Sequence, residues 1–186
     1  MAKNDKAMFY KYLKQANVYF EYGSGGSTYQ ASTNDNIKEI YSVESDSEWQ
    51  TKLRSIISNP IVTFIFNEMD TQPNSWGQPG KNSTKEQRRE YSNHIRNLSI
   101  EEQKCVDMIL IDGRFRVACC LKSHGLISES CVIAFDDFLN RPGYHIVLDY
   151  YDIIERTTDD RMVILKKKTD TDVPRSLIER YELIPN

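Results

Sequence analysis

The run Val18–Tyr22 ends abruptly in Gly23-Ser24-Gly25-Gly26-Ser27-Thr28, and this junction constrains the fold more than any other feature of the chain. Four of its five residues are β-branched or aromatic, which suits a strand. Three glycines permit a tight turn and a close backbone approach, and Ser27 and Thr28 suit the start of a helix reaching about Ser32. Strand, glycine turn and helix in that order form the opening unit of an open parallel sheet. Met8, Phe9, Tyr12 and Leu13 recur at helical spacing just before it, so a short amphipathic helix precedes the first strand.

The alternation then continues. Residues 37–43 read as a second strand ending in Glu44-Ser45-Asp46, and Trp49, Leu53, Ile56 and Ile57 follow at helical spacing. The continuous apolar run 61–66 predicts a strand buried on both faces. Residues 67–83, rich in Pro, Gly, Asn and Ser, predict a long loop of the kind that often carries function. The charged stretch 84–104 predicts one or two surface helices broken near 97–99. A strand at 106–111 ends in Asp112-Gly113 and leads into a helix over 115–123; another at 131–135 ends in Asp136-Asp137. Residues 151–155 and 162–165 flank a turn at 157–160 as an antiparallel hairpin. The order predicts an α/β, Rossmann-like three-layer sandwich with a mostly parallel seven-stranded sheet and a C-terminal antiparallel hairpin. With 186 residues, 39% of them hydrophobic, the chain fills one core, so residues 1–186 are read as a single domain.

Charge and cysteines exclude several classes. A formal net charge of -3 argues against a nucleic-acid partner held by bulk positive charge. Cys105, Cys119, Cys120 and Cys131 show no metal-finger spacing, and three of them lie in apolar runs; reduced thiols and a cytoplasmic location are expected. The polar stretch 1–6 holds no apolar segment long enough for a signal peptide or a membrane span.

In open parallel sheets, ligands bind beyond the carboxyl ends of the strands. Here those ends carry Glu21, Glu44, Asn67, Asp112 and the pair Asp136-Asp137. A dinucleotide loop places a third glycine where this chain has Thr28, which counts against NAD. Glu44 lies about twenty residues past the loop, at a strand end, where a carboxylate accepts ribose hydroxyl protons. Loop and carboxylate together favour an adenosine ligand.

Five segments carry a resemblance: EYGSGGST (Glu21 to Thr28), SVESD (Ser42 to Asp46), WGQP (Trp76 to Pro79), ILIDGRFRVAC (Ile109 to Cys119) and DDFLNRPGYH (Asp136 to His145). In these the chain resembles class I S-adenosylmethionine-dependent methyltransferases, and among them a group of small bacterial and viral members, some tied to polysaccharide synthesis. The resemblance implies that Glu21, Gly23, Gly25 and Ser27, with Ser24 and Thr28 of the same loop, form the methionine side of the cofactor site. It implies that Glu44 and Ser45 hold the ribose and that Asn67 lies near the adenine, where many relatives carry an acidic residue. Trp76 either walls the pocket or anchors its loop.

Methyl transfer to a hydroxyl requires a group that takes the proton. Asp112, at the cofactor edge, is the first candidate base; its other role is to cap the helix beginning near Phe115. Asp137, Arg114 and His145 complete the catalytic candidates, although a lone histidine near a turn is more often structural. Asp112, Asp136 and Asp137, with Asn140 further on, offer oxygen ligands for Mg2+ or Mn2+, in an arrangement that resembles metal-dependent catechol-type methyltransferases. Without metal, carboxylates so close raise one another's pKa. Arg114, Arg116 and Arg141 either clamp an anionic acceptor or neutralise the aspartates. No role is assigned to His94 or His124.

The sequence thus points to an O-methyltransferase whose acceptor is a sugar hydroxyl of a glycan or sugar conjugate, working alone or as one domain of a larger glycan-synthesis protein. The alternative is a catalytically inert Rossmann-like module that binds an adenosine ligand or a partner.

Overall fold

The computed structural model describes residues 1–158 and 161–185. Seven strands, β1 (Val18–Tyr22), β2 (Glu39–Glu44), β3 (Val62–Phe66), β4 (Met108–Ile111), β5 (Val132–Phe135), β6 (Tyr151–Arg156) and β7 (Val163–Lys167), form one sheet in the order β3-β2-β1-β4-β5-β7-β6. Pairing is parallel from β3 through β5, and β7 then inserts antiparallel between β5 and β6. The predicted fold class is the one observed. Of the predicted hairpin turn, Asp159 and Asp160 lie outside the described residues.

Seven α-helices accompany the strands: α1 (Lys3–Leu13), α2 (Gly26–Ser32), α3 (Ser47–Ile56), α4 (Lys85–Asn93), α5 (Ile100–Cys105), α6 (Arg116–Ser123) and α7 (Arg175–Tyr181). The alternation of β1 shows how the layers divide. Phe20 and Tyr22 point into a core shared with Tyr91 of α4, Val117 and Leu121 of α6 and, at its margin, Ile178 of α7. Tyr19 points the other way, towards Phe9 and Leu13 of α1 and Ala31 of α2. Local sequence fixes several helix starts. Asp46 accepts the Trp49 N–H at 3.0 Å at the head of α3, and Thr84 and Gln87 form a reciprocal capping box at the head of α4.

Three expectations are corrected. β3 is an edge strand, with Thr63 and Phe66 exposed, so one flank and part of each face meet solvent. Arg54 blunts this edge by donating to Phe64 O at 2.9 Å and lying over the Phe64 ring. The 84–104 stretch forms α4, a 3-10 turn at His94–Asn97 and α5; it is not wholly a surface element, because Tyr91, Ser92, His94 and Ile95 are buried. The helix after β4 starts one residue late, at Arg116, because Phe115 adopts φ +52°. The 3-10 helix Pro142–Asp149 and α7 were not foreseen. Cys105 is exposed and the other three cysteines are buried, all four free. No helix among the described residues is long and apolar enough to cross a membrane.

Candidate active site

The carboxyl ends of β1 and β4 touch through two glycines. Gly23 turns at φ +96°, and a Cβ there would lie 2.7 Å from Gly113 N. A Cβ on Gly113 would stand 2.1 Å from the Tyr91 hydroxyl and 2.8 Å from Gly23 N. Only two residues without side chains let these turns meet beneath the Tyr91 hydroxyl of α4, which accepts from Arg114 N at 3.4 Å.

Glu21 lies fully buried under the loop. Its carboxylate accepts from Ser27 Oγ at 2.6 Å, Ser42 Oγ at 2.7 Å, Tyr19 Oη at 2.8 Å and Thr28 Oγ1. Burial pushes its pKa up, and the four hydroxyls pull it back. Thr28 Oγ1 also accepts Gly25 N at 2.8 Å, and Ser24 Oγ bonds Ser42 Oγ at 2.6 Å. The expected contact of the Glu21, Ser27 and Thr28 side chains with a ligand is therefore revised: they are spent on one another and pin the loop to β1 and β2. What the loop leaves open is backbone, since a Cβ on Gly25 or Gly26 would meet nothing within 4 Å.

Glu44 ends β2, and only 7% of it is exposed. Its Oε1 accepts from Ser45 N at 2.7 Å and Asp46 N at 2.9 Å, and the backbone N–H of Ser24 also faces the carboxylate. Burial dominates, pushing the pKa up to about 7 against the opposing pull of these amides. The glycine loop and the β2 carboxylate lie at the ends of adjacent, parallel strands. Asn67 is close by through its backbone, N to Glu44 O at 2.7 Å, but its side chain turns away. It donates to Gln87 O at 3.2 Å and meets His94 Nε2 at 3.0 Å, which removes it as the adenine contact and gives His94 a partner the sequence did not show.

The long loop folds over this end. Ser45 Oγ donates to Gly77 O at 3.3 Å, and a Cβ on Gly77 would lie 2.5 Å from Ser45 Oγ and 3.3 Å from Glu44 Oε1. Arg114 holds the loop from the β4 side, Nε to Trp76 O at 3.1 Å and Nη1 to Gln78 Oε1 at 3.0 Å. Trp76 itself is 87% exposed, so burial of its ring does not anchor the loop.

At the ends of β4 and β5 the arrangement is ionic. Arg116 is buried and donates to Gly113 O, Asp112 O and, at 2.7 Å, Asp136 O, while its Nη2 lies 3.1 Å from Asp112 Oδ1. Asp112 remains partly exposed. Asp136 is 3% exposed, and its Oδ1 has no hydrogen-bond partner. Burial, then the charges of Asp112 and Asp137, then a hydrogen bond with Asp112 push its pKa up to about 7. Asp137, held at φ +56°, faces Arg161 at 2.9 Å, Arg141 at 3.0 Å and Arg116 at 3.6 Å.

These ion pairs overturn two expectations. Asp137 is committed to three arginines and is not placed as a base. Asp112, Asp136 and Asp137 do not form a cation cage, since the first and last spend their oxygens on guanidinium groups; among the described residues no three His, Cys, Asp or Glu are grouped to hold a metal. Mg2+ or Mn2+ does not fit these donors. Of the two readings of the arginines, Arg116 and Arg141 neutralise aspartates and Arg114 ties down the loop. His145 rests its ring 5.4 Å from that of Phe138, with Nε2 buried and without a hydrogen bond. A cavity of about 710 Å³ lies elsewhere, between α4, α6 and α7, against Arg89, Lys122 and Glu182.

No protein-family model matches the chain, and no curated protein matches it. Solved structures do. A methyltransferase-like protein from Silicibacter pomeroyi matches at 24% identity and a TM-score of 0.80, covering 100% of this chain and 96% of that one. A ribosomal protein L11 methylase from Lactobacillus delbrueckii subsp. bulgaricus matches at 12% identity and a TM-score of 0.57, covering 89% and 77%. The 1,6-didemethyltoxoflavin-N1-methyltransferase of Burkholderia thailandensis, with bound 1,6-didemethyltoxoflavin and S-adenosylhomocysteine, matches at 12% identity and a TM-score of 0.53, covering 90% and 78%.

Proposed function

We propose that this chain, which has the seven-stranded, Rossmann-like α/β fold of these methyltransferases, binds S-adenosylmethionine and transfers the methyl group to a hydroxyl oxygen, with a sugar hydroxyl of a glycan or sugar conjugate as acceptor. The observation that carries the cofactor half is Glu44, a buried carboxylate at the end of β2, beside the glycine loop that ends β1 and at the same end of the sheet as Asp112. The donor set fits the group. Gly25 and Gly26 offer open backbone, Glu44 and Ser45 offer acceptors for ribose hydroxyls, and Gly23 on Gly113 forms a floor without side chains. The bound S-adenosylhomocysteine of the Burkholderia enzyme supports the same reading.

When bound, S-adenosylmethionine supplies a methyl group on a sulfonium, open to displacement. The chain's own residues position and deprotonate. Asp112 keeps part of its carboxylate exposed, where it is placed to take the proton of an acceptor hydroxyl. Arg116 holds that carboxylate at 3.1 Å, and Asp136, whose pKa burial pushes up to about 7, lies beside it. The sugar acceptor is drawn from the sequence resemblance. The exposed indole of Trp76, above the β2 end, supports it by offering a flat apolar face to a sugar ring. As part of the same reading, residues 1–186 act as one domain in the cytoplasm, alone or within a larger glycan-synthesis protein.

Calorimetry with S-adenosylhomocysteine tests the reading. Micromolar binding is expected for the wild type, weakened about tenfold or more in Glu44→Gln, which loses a charged acceptor. Absence of binding in the wild type and in variants that loosen the 70–80 loop overturns it.

A further inference from the structure

The loop after β3 is stiff within itself and loosely attached at its tip. Its neck is clasped by Asp70, whose O accepts Gly80 N at 2.7 Å and whose Oδ2 accepts Asn82 N at 2.8 Å. Above the neck, Thr71 bridges Pro79, Gln72 N donates to Gln78 O at 2.8 Å, and Ser75 Oγ donates to Gln72 O at 2.5 Å. The tip is turned by three residues with left-handed backbones, Asn74, Trp76 and Gly77. It meets the strand ends at Ser45, Glu44 and Arg114, and Trp76 stays in solvent, so burial of its largest apolar group does not hold it down.

The tip covers the end of β2, where Gly77 lies against Ser45 and Glu44. Even a methyl group on Gly77 would collide with Ser45 Oγ, and Glu44 is left almost without exposed surface. We propose that residues 70–80 form a strap that occupies the ribose position, that Arg114 is its latch, and that an adenosine ligand enters when the strap lifts as a unit about its Asp70 neck. The strap rests on the reading of Glu44 as the ribose acceptor. It gives a role to the two nitrogens that Arg114, two residues from the proposed base, spends on loop atoms.

Two substitutions away from the proposed chemistry release the tip by different means. Gln78→Ala removes the side-chain acceptor for Arg114 Nη1. Gly77→Ala adds a Cβ that would overlap Ser45 Oγ at a φ of +73°. The measurement is stopped-flow binding of S-adenosylhomocysteine to the full chain, with 19F spectra of fluorotryptophan-labelled protein to separate Trp76 from Trp49, the two tryptophans of the chain. In the wild type the observed rate should level off with ligand concentration, at the rate of strap opening. Gln78→Ala should raise that plateau about fivefold, the factor that one net hydrogen bond represents. Gly77→Ala should raise it at least as much, and the Trp76 resonance should shift on binding while urea midpoints report that both variants fold. Wild-type rates that rise linearly and stay unchanged in both variants overturn the strap while leaving the cofactor reading intact. Failure of all three proteins to bind overturns both. A wild type that fails to bind while Gln78→Ala binds supports the strap in its tightest form.

Discussion

The turn after β1 and the turns after β4 and β5 border the same sheet edge and are built in opposite ways. Around Glu21 the polar side chains are matched to one another: four hydroxyls converge on one buried carboxylate, and Gly23 packs against Gly113. Around Asp112 and Asp136 the matching is incomplete, since one carboxylate is partly exposed and its neighbour keeps a buried oxygen unbonded. The first region is a scaffold that has used up its chemistry in holding shape; the second stores proton-binding capacity that the fold does not need. Buried polar groups without partners are rare and costly in folded proteins, and this one adjoins the carboxylate proposed as the base.

The largest effect should follow from breaking the scaffold. Gly113→Ala drives a Cβ against the Tyr91 hydroxyl and against Gly23 N, and the second contact is backbone that cannot rotate away. Overpacking of this kind should cost about 3 kcal/mol. Gly25→Ala, with nothing within 4 Å of the new Cβ, should change stability by less than about 0.5 kcal/mol. Urea denaturation of the pair is the check. Equal effects would mean that the close approach of the two turns is not structural.

A smaller loss, about 2 kcal/mol, is expected for Glu21→Ala, because hydroxyls that stay buried lose their common acceptor. Affinity for S-adenosylhomocysteine should fall with it, though Glu21 touches no ligand in the proposed site, because the loop loses its pin. If stability falls and affinity does not, the loop is held by its glycines alone, and the contrast between the two regions is weaker than drawn.

How much of this was legible in the sequence follows from which signals are local. The succession of strands and helices, the glycine turn and the strand-end carboxylates were readable, because apolar runs and glycine clusters are short-range signals. That Glu21 would bond Tyr19 was within reach, since the two share a face of one strand, and Ser42 is its register partner on β2. The position of β3 was not: an apolar run carries no mark of whether it will be central or at an edge, and Arg54 protects Phe64 only once α3 packs beside it. The metal expectation failed for a similar reason. Asp112, Asp136 and Asp137 looked like a donor set until Arg116, Arg141 and Arg161 arrived from three different parts of the chain. Loop contacts such as Arg114 with Gln78 depend on tertiary placement and left no sequence trace.

The smallest effect should come from the second region, and it carries a sign. Asp136 has a folded-state pKa raised to about 7 from an ordinary 3.8, so the folded chain holds this proton more tightly than the unfolded chain does. A group raised in this way stabilises fully below its ordinary pKa, and that contribution is lost as pH climbs through the raised value. Asp136→Asn cannot ionise and should not show the loss. It should match the wild type near pH 4 and exceed it by about 1 kcal/mol at pH 8, a fraction of the full linkage because Asp112 and Asp136 titrate together. The variant keeps a hydrogen-bond donor for Asp112, so binding of S-adenosylhomocysteine should persist while the pH profile of methyl transfer shifts. Melting curves from pH 4 to pH 8 decide it. A variant less stable than the wild type at pH 8 would show that the ionised Asp136 is held by a partner, and that the β5 end is as fully matched as the turn around Glu21.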